Sequence, residues 1–320
     1  MKSFIAYSMF ALLMILSPVA NSEYPTKPIR IVLGMSAAST FPIITRTITS
    51  NVPDKNFHFF NDHKTGQGNL VAYQFAANSK PDGYTIVFTS TSVVINPLLH
   101  RDAGYDASKN FEPLLFIGTV DNGLIAHPLV PFNTTKQLVA YAKRNPNKIM
   151  YGHNGFATQS YLAMELLAHA ANIKFTSVPY SSRGTDQAFI DVAGGQIDLS
   201  LIVIGRVGGY VSTGKVKLIA TTGSTRSKLF PNVPTMGESI KGTESSIWYI
   251  LQVPTGVPPD IKQRLSAQLI EGMKSIAAQS ILENVGVEPV TMEQAAMVKF
   301  IALEAAKWKK ITTSKQLKIE

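Results

Sequence analysis

The chain has 320 residues, 45% hydrophobic and 16% charged, with a formal net charge of +9. That length suggests two domains of roughly 150 residues, and the composition excludes a disordered or collagen-like chain. The absence of cysteine excludes a disulfide scaffold, a cysteine-ligated zinc or iron–sulfur site, a thiol nucleophile and a lipoprotein anchor.

Lys2 followed by the apolar run Phe4 to Leu16, the break at Ser17-Pro18 and the small-x-small pattern Ala20-Asn21-Ser22 read as a cleaved export signal over residues 1–22. The run is short of the roughly 20 residues that a membrane span needs, which sets the rival reading, a retained anchor, behind. Ile29 to Leu33 reads as a buried strand. A small-residue turn, Gly34 to Thr40, leads into a helix from Phe41 to about Ile48. Pro42 fits its first turn, and Ser39 or Thr40 is placed to cap it. Asn69 to Ala77 reads as a helix and Tyr84 to Phe88 as a strand running into Thr89-Ser90-Thr91-Ser92.

The middle repeats this pattern. Thr134 or Thr135 caps a helix through Ala142, and Lys148 to Tyr151 is a strand. Thr158 caps an amphipathic helix to about Ala171, and Phe175 to Tyr180 is a strand. A helix opens at Thr185 or Asp186 and closes at Gly194-Gly195. Ile197 to Ile204 and Val216 to Thr222 are further strands. Strands separated by helices of this length imply right-handed crossovers and largely parallel sheets. In the tail, helices are expected from Pro259 to about Ile276 and from Glu293 to about Ile311, the second opened by a Thr291/Gln294 capping box.

Three strand-to-helix turns stand out: Ser36 to Thr40, Asn154 to Thr158, and Arg183 to Thr185. Helix N-termini present unpaired N–H groups and partial positive charge, so turns converging at the sheet edges would form a pocket for a small anion. The same hydroxyls also serve as ordinary N-caps, and local residue types leave the two readings open.

No G-x-S-x-G elbow, P-loop, G-x-G-x-x-G or H-E-x-x-H occurs, and His127, His153 and His169 stand apart from one another. No acid, base and nucleophile set can be assembled, so an enzyme is disfavoured, and neither a metal nor a cofactor is expected. Lysines and arginines are scattered, the densest group being Lys307, Lys309 and Lys310 on the last helix. Aromatic–basic interleaving is absent, so nucleic acid is not an expected partner.

The order of several motifs resembles one family. Tyr24-Pro25-x-Lys27-Pro28-Ile29-Arg30-Ile31-Val32, Gly68-Asn69, Pro81-Asp82-Gly83-Tyr84-Thr85, Ser90-Thr91-Ser92, Val178-Pro179-Tyr180, Gly194-Gly195-Gln196-Ile197-Asp198 and Pro231-Asn232-Val233-Pro234-Thr235 are similar to the periplasmic receptors of tripartite tricarboxylate transporters (TctC or Bug receptors). The resemblance implies an α/β, type II periplasmic binding protein fold with two lobes, mixed but mostly parallel sheets and a two-strand hinge. It further implies capture of a small carboxylate in the periplasm, delivery to integral-membrane transporter subunits, a monomer, and no chemistry. Lobe one would comprise 23–123 plus 251–320 and lobe two 124–250. The chain would cross between them near Asp121 to Ala126 and Ser246 to Val253. A receptor serving a two-component sensor and a diverged copy that no longer binds are the alternatives.

Transferred to this sequence, the ligand residues are Ser39 and Thr40 on one wall, Ser90, Thr91 and Ser92 beside them, Asn154, Gly155, Thr158 and Ser160 opposite, and Arg183, Gly184 and Thr185 above. Arg183 either forks onto a carboxylate or faces solvent on a loop enlarged by Ser181-Ser182. Several positions depart from the family pattern. Ala37-Ala38-Ser39 replaces a Pro-Gly-Gly loop, Pro42 stands where an aspartate is usual, Ile202 replaces a polar residue, and Phe41 and Phe156 add bulk. Losing the carboxylate removes an acceptor for a ligand ammonium or hydroxyl, which points to a less polar, even aromatic, carboxylate in place of an acidic amino acid.

Overall fold

The computed structural model describes residues 24–100, 102–156, 158–180 and 184–314, so residues 1–22, expected from sequence to be an export signal, and Arg183 lie outside the described residues. From the N-terminus come β1 (Ile29–Leu33), α1 (Thr40–Thr49), β2 (Phe59–His63), α2 (Leu70–Ala77), β3 (Thr85–Ser90), α3 (Ser92–Leu99) and β4 (Phe111–Val120). Then follow β5 (Asn122–Ala126), α4 (Thr135–Arg144), β6 (Met150–His153), α5 (Gln159–Ala171), β7 (Thr176–Pro179), α6 (Gly184–Ala193), β8 (Leu199–Val203), α7 (Gly208–Val211), β9 (Lys217–Thr221) and α8 (Met236–Ser239). The tail comprises β10 (Ile247–Pro254), α9 (Pro259–Lys274), α10 (Ile276–Asn284), β11 (Val287–Pro289) and α11 (Gln294–Ser314).

The strands form two sheets, ordered β11-β4-β10-β3-β1-β2 and β7-β6-β8-β5-β9, one in each lobe. β1 and β3 are buried on both faces, so they read as nearly continuous apolar runs without alternation. Among the described residues the expected parallel majority is not found: four strand pairings are parallel and five antiparallel. The reason lies in how the chain changes sheets. β5 and β10, on which it arrives from the other sheet, have no crossover helix behind them in their new sheet. Each is inserted antiparallel between two neighbours.

Three elements differ from expectation for local reasons. β4 carries Pro113, which lacks a ladder donor, and the β10–β4 register shifts beside it, between Leu251 and Gln252. The helix expected from Pro259 to Ile276 breaks at Ser275, whose hydroxyl accepts from Ala278 N at 3.1 Å and starts α10. The last helix begins at Gln294 itself, so Thr291 lies too far upstream to cap it. That helix is fastened to β10 by Glu304, whose carboxylate accepts from both tryptophan indoles, Trp248 at 3.0 Å and Trp308 at 3.1 Å. Among the described residues no helix is long and apolar enough to cross a membrane.

Candidate functional site

Between the sheets lies a narrow cavity of about 70 Å³, partly open to solvent. Its lining comes from both lobes: Ser39 and Thr40 at the start of α1, Ser90, Thr91 and Ser92 at the β3–α3 junction, and Asn154, Thr158, Gln159 and Ser160 at the start of α5. Thus three helix N-termini open into one space.

What the hydroxyls there do distinguishes the two readings left open above. Ser39 occupies the N-cap of α1 without a capping bond, because its Oγ donates back to Ser36 O at 2.7 Å. Thr158 occupies the N-cap of α5 and likewise turns away, donating to Gly155 O at 2.6 Å. Thr91, before α3, makes no cap bond either, and its Oγ1 accepts instead from Trp248 N at 3.2 Å. Ser92 Oγ is occupied by Asn69 Nδ2 at 2.8 Å, Tyr73 OH at 2.8 Å and Ser90 Oγ at 2.9 Å. The side chains at these helix starts are therefore spent on one another and on loop carbonyls, and they do not fill the first-turn amides. Pro42, third in α1, removes one amide from that set without cost to the helix.

The Asn154-Gly155 turn is held from below by His153. This ring is 1% exposed and packs against Tyr151, Phe156 and Tyr161 with centroids 4.9–5.6 Å away. Burial pushes its pKa down to about 4, so it is neutral at pH 7, and Nδ1 accepts the Gly155 N–H at 3.2 Å. That bond draws the Gly155 amide inward, and Gly155 is not among the lining residues. Its positive φ of 124° suits a glycine, and the turn meets the Gly68 backbone of the other lobe.

Ser39, Thr40, Ser90, Thr91, Ser92, Asn154, Thr158 and Ser160 thus meet at one cavity, while Gly155 supports it from behind. Arg183 lies outside the described residues, as does the side chain of Thr185, and only the backbone of Gly184 is described. Phe41 does line the cavity, but packed against Phe88 (tilted, 4.3 Å) and edge-on to Tyr249 (5.5 Å) it forms part of the wall. Phe156 packs on His153 and Tyr161 and is not a lining residue. Ile202 is 2% exposed in the core, whereas its neighbours Leu201 and Val203 face the cavity.

The sequence reading missed Asn69, Asn122, Gln159 and Arg206. Arg206 ends a single 3₁₀ turn directly after β8, and its position just past a strand end was the available signal. It is the cation among the described lining residues, which include no aspartate or glutamate. The apolar part of the wall is Met35, Phe41, Leu201, Val203, Ile247 and Tyr249.

Residues 58–317 match the pattern that defines the tripartite tricarboxylate transporter family receptor. A UPF0065 protein from the gbd 5′ region of Cupriavidus necator is 29% identical over 290 residues, covering 90% of this chain and 88% of its own length. The solved periplasmic binding protein BugD has a TM-score of 0.85 at 26% identity, over 93% of this chain and 100% of that one. An R. palustris protein solved with adipate has a TM-score of 0.84 at 24% identity, over 91% and 98%.

Proposed function

The chain belongs to the tripartite tricarboxylate transporter receptor family, and from that premise we propose that it closes its two lobes around one small organic carboxylate and hands it to integral-membrane transporter subunits. It is a solute-binding protein with the two-lobed fold of periplasmic receptors. The observation that carries the ligand class is the convergence of three helix starts, each without a side-chain cap, on a single cavity. Uncapped helix starts around one cavity, with Arg206 in the same lining, favour negative charge there. The proposed ligand residues are Ser39, Thr40, Thr91, Ser92, Asn154, Thr158 and Ser160, with Ser90 behind them and Arg183, Gly184 and Thr185 above.

The body of the ligand is less polar than an acidic amino acid. No lining carboxylate stands ready for an ammonium group among the described residues, and Met35, Phe41 and Tyr249 offer apolar and aromatic surface. The adipate-bound R. palustris protein lends its fold to this argument and not its ligand. Sheet membership supports lobe limits at Asp121 and ahead of Ile247, a few residues before those expected from sequence. The protein acts as a monomer in the periplasm after loss of residues 1–22.

A thermal-shift screen of mono-, di-, tri- and aromatic carboxylates tests the reading. A ligand at 100 times its dissociation constant should stabilise the fold by about 2.7 kcal/mol. A cooperative melt unmoved by every acid would contradict it, as would aspartate or glutamate binding tighter than about 10 μM, roughly −7 kcal/mol.

A further inference from the structure

We propose that Asn122 holds a fixed hydrogen-bond acceptor against the ligand, so that the site selects a carboxylate bearing a hydroxyl group over its unsubstituted analogue. The inference rests on the carboxylate reading above and names the substituent that such a ligand carries. Asn122 opens β5, where the chain enters the second sheet, lines the cavity and is 2% exposed. Its main chain is clamped to Thr222: its N–H donates to Thr222 Oγ1 and its carbonyl accepts from Thr222 N, both at 2.9 Å.

The orientation of its side-chain amide follows from a chain of bonds that starts at a carbonyl. Ser245 O can only accept, so the atom of Gln159 facing it must be Nε2, which also meets Ser245 Oγ at 2.9 Å. Gln159 Oε1 then faces Asn122, and only Asn122 Nδ2 can answer it. Asn122 Oδ1 is left as the free end. It accepts no hydrogen bond among the described residues, yet it is absent from the polar atoms sealed away without a partner. A buried side chain in a cavity wall with an accessible acceptor presents that acceptor to the cavity.

An amide oxygen with its proton donor already committed repels a second carboxylate oxygen and welcomes an O–H. Arg206 shares the lining, so an ammonium group there meets like charge and a larger desolvation cost, neither of which a hydroxyl meets. A ligand lacking the donor would bury the acceptor unsatisfied, the circumstance under which sites discriminate most strongly.

The test is calorimetric titration of the whole protein with two matched pairs, malate against succinate and 3-phenyllactate against 3-phenylpropionate, together with aspartate. In whichever pair binds, the hydroxy acid should bind at least about tenfold tighter, and aspartate should bind more weakly than malate. Asn122→Leu should bring the ratio within the pair to about one. Gln159→Met, which frees the Asn122 amide to turn, should shrink the same ratio by weakening the hydroxy acid more than its unsubstituted partner. A merely structural role for Gln159 would weaken both acids alike. A wild-type ratio near one overturns the inference whatever the variants do, and leaves the carboxylate reading standing. A ratio unchanged in both variants also overturns it, as does failure of all five acids to bind, which leaves the carboxylate reading to the wider screen.

Discussion

Helices α4 and α5 begin alike in sequence, each just after a threonine, and those two threonines do opposite things. Thr134 accepts from Gln137 N at 3.2 Å and caps α4, which lies away from the cavity. Thr158 donates to Gly155 O and leaves the start of α5 open toward the cavity. The contrast extends further: Thr235 forms a full capping box with Glu238 and Ser275 caps α10, whereas Ser39 and Thr91 do not cap α1 and α3. The side-chain-capped helices α4, α8 and α10 lie away from the cavity, and the three that open on it carry no such cap, although α9, which also lies away from it, starts uncapped after Pro258.

The largest effect expected concerns the floor beneath α5. His153 has a folded pKa of about 4 against an ordinary value of 6.5. Its contribution is therefore complete above pH 6.5 and lost as pH falls toward 4, amounting to about 3 kcal/mol. Urea unfolding of the wild type and of His153→Phe across that interval should give a steeper decline for the wild type; equal slopes would place the histidine outside the account. Next in size, Thr158→Asp puts a capping acceptor onto the open amides of α5. It should weaken the best carboxylate from the screen by about 100-fold, close to 3 kcal/mol, while the melting temperature holds or rises. Unchanged affinity would show that α5 does not anchor the ligand.

Smaller effects sharpen the same contrast. Thr134→Ala removes a working cap and should cost about 1 kcal/mol in chemical denaturation, with ligand affinity untouched. Ser39→Ala removes a hydroxyl that caps nothing, so stability should stay within about 0.5 kcal/mol. Equal losses in the two variants would erase the difference between the two kinds of helix start.

Much of the architecture was legible in the chain. Buried strands such as Ile29–Leu33 and the Ser/Thr-led helices announce themselves through apolar runs and cap residues. β4 was hidden by Pro113, and the break at Ser275 by an apolar face that continues across it. Eight of the proposed site residues were visible because they sit at strand-to-helix turns. Whether a serine or threonine there accepts or donates is not written locally, since either bond suits the hydroxyl and the surrounding loop decides. Asn122, Gln159 and Arg206 escaped because their roles depend on which strands meet at the crossing between sheets.

The most direct test follows main-chain amides by ¹⁵N-resolved NMR during titration with a carboxylate that binds. The account predicts the largest shifts at first-turn amides of the uncapped helices, Phe41, Val93 and Ser160, with Gln137 and Ala278 unmoved. Shifts confined to residues away from these three helix starts, or equal at capped and uncapped ends, would contradict it.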